Sequence, residues 1–181
     1  AIAIDQLGFK KLGKVMQSIM IIPVFISFTA VQFIVYAYLS SDTGMVNNLF
    51  GLSTRWYMEA KYWPAILTIV KIWNGVGYGS VLYMSVLAGI DTQLYEAAEI
   101  DGANKWQQIA HVTLPSLVPM ISIMLLLSVG GMMHSDTGLF YQVTRNSGTL
   151  YSTTQVLDSY VLNAIFKNAN YGFTAAATFF Q

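Results

Sequence analysis

Cysteine is missing from all 181 residues, which excludes a disulfide, a thiolate nucleophile and any cysteine-based metal site. Charge is scarce as well: 10% of residues are Asp, Glu, Lys or Arg, where a soluble domain carries roughly 25%. The nine basic and nine acidic residues cancel, which argues against a nucleic-acid partner. His111 and His134 stand alone in the chain, without metal-ligand spacing. No Walker A sequence occurs, so the chain does not itself bind ATP by that motif, and no Ser/His/Asp grouping suggests catalysis. We therefore expect no catalytic residue, no metal and no cofactor in this chain.

What is abundant is apolar. Hydrophobic residues make up 55% of the chain and mean hydropathy is +0.52, in charge-free runs long enough to cross a bilayer. Ala1 to Ile4 is an apolar stub too short for a signal-peptide core, and it reads as the tail of an earlier membrane helix. Asp5 to Lys14 reads as a polar loop. Ile19 to Leu39 is 21 residues without a charge, about 30 Å of helix. Pro23, Ser27, Thr29 and Gln32 interrupt it, which suits a helix packed against protein. Ser40 to Trp63 is a loop whose Tyr57, Tyr62 and Trp63 suit a membrane–water interface.

Pro64 is a good first helical residue, and Ala65 to Ile90 is the second expected span. Asp91 to Leu114 is polar, Pro115 to Met133 is the third span, and Ser135 to Tyr151 is a loop. Thr153 to Lys167 carries one apolar face and reads as a surface or vestibule helix. Tyr171 to Phe180 starts a further helix. Residues 1–181 thus read as a single transmembrane domain cut at both ends, all-α, with three full spanning helices plus partial ends. Lysines and arginines do not orient it. Lys10, Lys11, Lys14 and Lys105 lie on one side, against Arg55, Lys61, Arg145 and Lys167 on the other, a tie under the positive-inside rule.

The loop between the second and third spans is the informative stretch. Asp91 can cap a helix N-terminus. Leu94, Ala97, Ala98 and Asp101 then share one face, with Glu96 and Glu99 on the other. Gly102 supplies the left-handed residue that ends the helix. A second short helix follows, with Trp106, Ile109, Ala110 and Thr113 on one face, and Pro115 starts the third span. Small alanines on a face let another backbone come close. Chemistry alone leaves two readings open: a docking element, or an ordinary amphipathic loop packed on its own membrane domain.

The residues Glu96-Ala97-Ala98, Gly102, Val112 and Leu114-Pro115 resemble the EAA signature of ABC importer permeases, with valine in place of the usual isoleucine. Six fixed matches arise by chance with a probability on the order of 10⁻⁷ per start position. Asp91-to-Pro115 also lies between two spans, as that signature does. The triplet Asp101-Gly102-Ala103 with Trp106 is most similar to carbohydrate permeases, especially the polysaccharide branch. The helix with a mid-helix proline and the loop bearing Gly44, Asn47 and Asn48 resemble them too, as does Gly138-Leu139-Phe140.

The resemblance implies a type I importer (MetI-like) permease fold in a prokaryotic plasma membrane. It implies that the 91–115 loop is cytoplasmic and enters a cleft of an ATPase subunit, which settles the orientation. It further implies a second permease subunit, two ATPase subunits that bind the ATP, an extracytoplasmic solute-binding protein, and a sugar or oligosaccharide substrate. A permease for another solute, such as an amino acid, peptide or ion, is the alternative within the family. A non-transporting membrane scaffold or a membrane enzyme is the alternative outside it.

The second span carries a polar stripe. Lys71, Asn74, Tyr78 and Ser85 fall within a sector of about 60°. Polar groups in a membrane helix face a cavity or the protein interior. The stripe is therefore either a substrate path or interhelical hydrogen bonding. Gly75 and Gly79 form a small-xxx-small pair suited to close helix packing.

Overall fold

The computed structural model describes residues 1–2, 10–132, 134–168 and 171–180. Among them there is no β-strand. The chain forms two compact units, Ala1–Val24 with Asn74–Gly130 and Phe25–Trp73 with Gly131–Gln181.

In the first unit, helix α1 (Lys10–Ile21) begins earlier than the sequence suggests. Lys10, Lys11 and Lys14 are helical, not in a loop. Lysine is a good helix former, and Leu12, Val15, Met16 and Ile19 recur at helical spacing. The rest of the expected polar loop, residues 5–9, lies outside the described residues, as do positions 3 and 4 of the stub.

The expected span Ile19 to Leu39 is not one helix. It breaks at a 3₁₀ turn, Ile22–Phe25, and resumes as α2 (Phe28–Leu39) in the second unit. Pro23 has no N–H to give, and its ring clashes with the carbonyl four residues back. Ser27 then caps α2, its hydroxyl accepting from Ala30 N at 3.4 Å. After a short helix, α3 (Met45–Phe50), the chain enters α4 (Trp63–Ala88), which is continuous and carries Pro64 in its first turn. Its second half belongs to the first unit.

Two further helices complete that unit: α5 (Thr92–Ile100) and α6 (Lys105–Gly130). The second short loop helix and the third span, expected as separate, are one helix. A π turn at Ile109–Thr113 joins them, with Leu114 N–H donating to Ile109 O. The wider turn gives the ring of Pro115 room against the preceding carbonyls. Met133, the expected last residue of that span, lies outside the described residues.

Helix α1 crosses α4 at Gly77, not at Gly75 or Gly79. A Cβ on Gly77 would lie 1.9 Å from the carbonyl oxygen of Met20, whereas one on Gly75 or Gly79 would meet nothing within 4 Å. The reason is local: Asn74, three residues earlier, donates from Nδ2 to Pro23 O at 2.8 Å, and that bond draws the broken end of α1 onto the Gly77 face.

The second unit holds the apolar core. Val31, Val35 and Leu39 of α2 pack with Trp63, Leu67 and Val70 of α4, and with Leu139, Val143 and Leu150. Leu139 and Val143 come from a π-helical segment, Gly138–Val143, and Leu150 from the turn before α7 (Tyr151–Thr154). Helices α8 (Leu157–Asn168) and α9 (Tyr171–Phe180) follow.

Many other apolar residues point outward: Phe25, Phe33, Ile69 and Ile72, and on α6 the run Leu125, Leu126 and Leu127, are all exposed. Such a surface suits lipid or neighbouring membrane helices and not water. Among the described residues, α4 and α6 are long and apolar enough to span a bilayer, and α1 with α2 counts as a third only if taken as one broken span.

Candidate coupling loop and polar stripe

Every piece of the 91–115 loop has a local cause. Asp91 caps α5, its carboxylate accepting from Gln93 N at 2.9 Å. At the other end Ala103 N–H donates to Ala98 O (2.9 Å) and Gly102 N–H to Glu99 O (3.0 Å). These are the two bonds of a Schellman turn. Gly102 holds φ +78°, the left-handed value expected there. No atom lies within 4 Å of where its Cβ would be, so glycine is needed for conformation, not space.

The chain restarts at once. Asn104 and Gln107 form a reciprocal capping box, with Asn104 Oδ1 accepting from Gln107 N at 3.0 Å and Gln107 Oε1 from Asn104 N at 2.8 Å. The hydroxyl of Tyr95 on α5 lies 2.9 Å from that of Thr113 on α6, and Gln108 Nε2 donates to Ala103 O at 3.2 Å. Thr113 and Gln108 are buried. The two helices are therefore bolted together beneath the turn.

This scaffold presents Ala97, Glu96 and Glu99 to solvent, with Ala98 half-buried. Ala98, Gly102, Ala103, Gln107 and Val112 line a groove of about 300 Å³. Ile100 and Trp106 project from it at 86% and 80% exposure. Large apolar side chains left this bare on a tightly capped turn mark a contact surface. Leu114 and Pro115 are exposed in the first turns of the spanning part of α6; they stand beyond the π turn and not on α5 with Glu96–Ala98.

The four stripe residues on α4 have different surroundings. Lys71 Nζ sits 2.6 Å from Asp136 Oδ2. Asp136 also takes Leu139 N–H at 3.2 Å, so one carboxylate neutralises the lysine and caps the Gly138–Val143 segment. Asn74 bonds Pro23 O as described. Tyr78 and Ser85 are exposed. Asp136 is a residue the sequence does not single out: its partner is 65 positions away.

A third cluster also escapes sequence reading. Tyr57 packs edge-on to Tyr36 (5.7 Å) and to Trp63 (4.9 Å), and the guanidinium of Arg145 lies 4.3 Å from the Tyr36 ring centroid. Burial pushes the Tyr57 phenol up to about 12, with Arg145 opposing and Tyr36 adding to the shift. The aromatic spacing hints at an interface, but nothing in the sequence brings Arg145 to it.

Two apolar helices joined by a capped helix–glycine–helix loop, with polar groups along one of them, define a multi-pass helical membrane protein. The chain belongs to the family of binding-protein-dependent transport system inner membrane components, whose family model matches residues 2–180. It is 25% identical over 185 residues to the polygalacturonan/rhamnogalacturonan transport system permease protein YteP of Bacillus subtilis, covering 100% of this chain and 57% of that one.

It is also 30% identical to the lactose transport system permease protein LacF of Rhizobium radiobacter, over 74% of this chain and 47% of LacF. A crystal structure of a bacterial ABC transporter involved in the import of the acidic polysaccharide alginate matches with a TM-score of 0.92 at 29% identity, over 98% of this chain and 63% of that one. The chain thus spans about half the length of the curated relatives it matches. The fold is the all-α type I importer permease fold, in the inner membrane.

Proposed function

We propose that this chain forms part of the translocation path of an ATP-driven importer for a sugar or oligosaccharide. In this reading it carries out no chemistry of its own. ATP is bound by two separate ATPase subunits, a second permease subunit completes the path, and a solute-binding protein delivers the substrate. The relatives' names supply the substrate class; the observation that carries the mechanism is the 91–115 loop.

Glu96, Ala97, Ala98 and Gly102 make up a surface on a helix capped at both ends, so a force applied to α5 is transmitted and not absorbed by fraying. Leu114 and Pro115 lie where α6 leaves the loop, and they pass that movement to a spanning helix without a hinge. On the α4 stripe, the exposed Tyr78 and Ser85 supply hydrogen-bond partners for a hydroxyl-rich, mostly uncharged substrate, while Lys71 and Asn74 are held by Asp136 and by Pro23 O.

The test is Ala98→Trp in the full-length permease. An indole there would occupy the groove of about 300 Å³ that Ala98 lines. Membrane insertion should be normal while co-purification of the ATPase is lost. A variant that still assembles and transports like the parent would reject the docking role.

A further inference from the structure

The turn that closes the Gly138–Val143 segment repeats the hydrogen bonds of the Gly102 turn. Asn146 N–H donates to Tyr141 O at 2.9 Å and Arg145 N–H to Gln142 O at 2.8 Å. Here the left-handed residue is an arginine, with φ 56°, followed by Asn146 at φ 48°. Glycine takes that conformation without penalty, and asparagine tolerates it through local hydrogen bonds. Arginine has neither advantage. Such outliers persist where the surroundings over-determine them, and they cluster at ligand sites.

The surroundings do so through Asn146. Its amide donates to Asn163 Oδ1 at 2.8 Å, and its Oδ1 accepts from Asn163 Nδ2 at 3.1 Å and from the Tyr151 hydroxyl at 2.7 Å. These bonds hold Asn146 in place. What it fixes is the neighbouring guanidinium, which is exposed, stacked on Tyr36, and in neither of the two ion pairs among the described residues. Stacking through the face leaves the N–H edge of an arginine free. In a chain with so little charge, one unpaired cation is held in place at the expense of backbone strain.

The segment packs on the turn that precedes α4. Thr149 Oγ1 donates to Tyr57 O (2.8 Å) and Thr153 Oγ1 to Ala60 O (2.9 Å). It therefore lies at the N-terminal end of α4.

We propose that Arg145 selects charge in the transport path, and that the saccharide carried bears carboxylates. A guanidinium fork matches a carboxylate in bidentate geometry. A neutral sugar can accept hydrogen bonds from the fork but brings no charge to balance it. This proposal rests on the importer reading and names the substrate class within it.

The test uses the assembled transporter in proteoliposomes with its binding protein. The probes are tri-galacturonate, its methyl ester and neutral maltotriose. Arg145→Gly relieves the backbone strain, so it should fold at least as well as the parent. It should raise KM for tri-galacturonate by about tenfold or more, the scale of a lost charge-assisted hydrogen bond, with ATP hydrolysis unchanged. Arg145→Gln should do the same and Arg145→Lys should recover part of the loss, whereas a merely structural arginine would show the opposite ranking of Gly and Gln. Uptake of tri-galacturonate by Arg145→Gly at the parental KM overturns the proposal, as does a parent that carries maltotriose but not the uronide. A parent that carries no saccharide at all overturns the importer reading and this one with it.

Discussion

Replacing Gly77 by alanine should destabilise the permease more than the same methyl anywhere else on α4. The added Cβ would lie 1.9 Å from Met20 O, 2.5 Å from Met20 C and 2.7 Å from Ile21 Cα. A carbon–oxygen contact normally closes no further than about 3.3 Å, so α1 and α4 must separate by more than about 1 Å. All three obstructing atoms are backbone, and no rotamer change can clear them. Overpacking of this kind costs about 1–3 kcal/mol.

The separation also stretches the bond from Asn74 Nδ2 to Pro23 O, now 2.8 Å, and Pro23 is buried. An orphaned buried carbonyl adds about 1–3 kcal/mol. Against this stands the helix-propensity gain of Gly→Ala, about 0.5–1 kcal/mol. The net is a loss of about 1–5 kcal/mol. At Gly75 and Gly79 a methyl meets nothing within 4 Å, which leaves only the gain. Thermal denaturation of the three full-length variants in detergent, read by loss of the monodisperse peak, compares them directly. If Gly77→Ala melts no lower than Gly75→Ala, α1 does not cross α4 at Gly77.

Gly102→Val should lower the melting temperature more than Gly102→Asn, because a left-handed L-residue costs about 1–2 kcal/mol and asparagine recovers part of it; equal melting of the two would reject a conformational role for that glycine. Tyr57, raised by burial to about 12, keeps its proton to higher pH folded than unfolded. The stability it contributes is therefore complete below the unfolded value of about 10 and is lost as pH rises from there towards 12. Tyr57→Phe should remove that alkaline decline, and Arg145→Gln should delay ionisation further in an ultraviolet titration. Single cysteines in this cysteine-free chain should separate the two roles open to the α4 stripe. Position 78 should label with a water-soluble thiol reagent and be protected by substrate, and position 74, tied to Pro23, should label slowly. No labelling at 78 in any nucleotide state would remove Tyr78 from the path.

The sequence makes the elements legible wherever the cause is local. Asp91 as a cap, Gly102 as a left-handed stop and Pro64 in a first turn are each decided within four residues, and each is found as expected. The errors come where a local signal has two physical outcomes. Pro23 within an apolar run can kink a span or break it, and the decision falls to Asn74, 51 residues away, which binds the carbonyl that the break exposes. Pro115 reads as a helix start because proline favours that position, but a π turn lets the helix run through it. Gly75 and Gly79 match a packing pattern, yet the crossing selects Gly77 between them.

The two Schellman turns show the same limit from the other side. Gly102 announces its turn because the residue that suits the conformation is the residue present. The turn at Arg145 has the same two hydrogen bonds, one donated by the left-handed residue and one by its successor, and no sequence rule finds it, since arginine is a poor choice there. Propensity can locate a turn only where the chain gains nothing from disobeying it. The distant contacts of Asn146 with Asn163 and Tyr151 allow the disobedience, and Tyr36, more than 100 positions from Arg145, gives it a consequence. A residue that local physics disfavours and tertiary structure maintains is therefore more informative about function than one that every local rule supports.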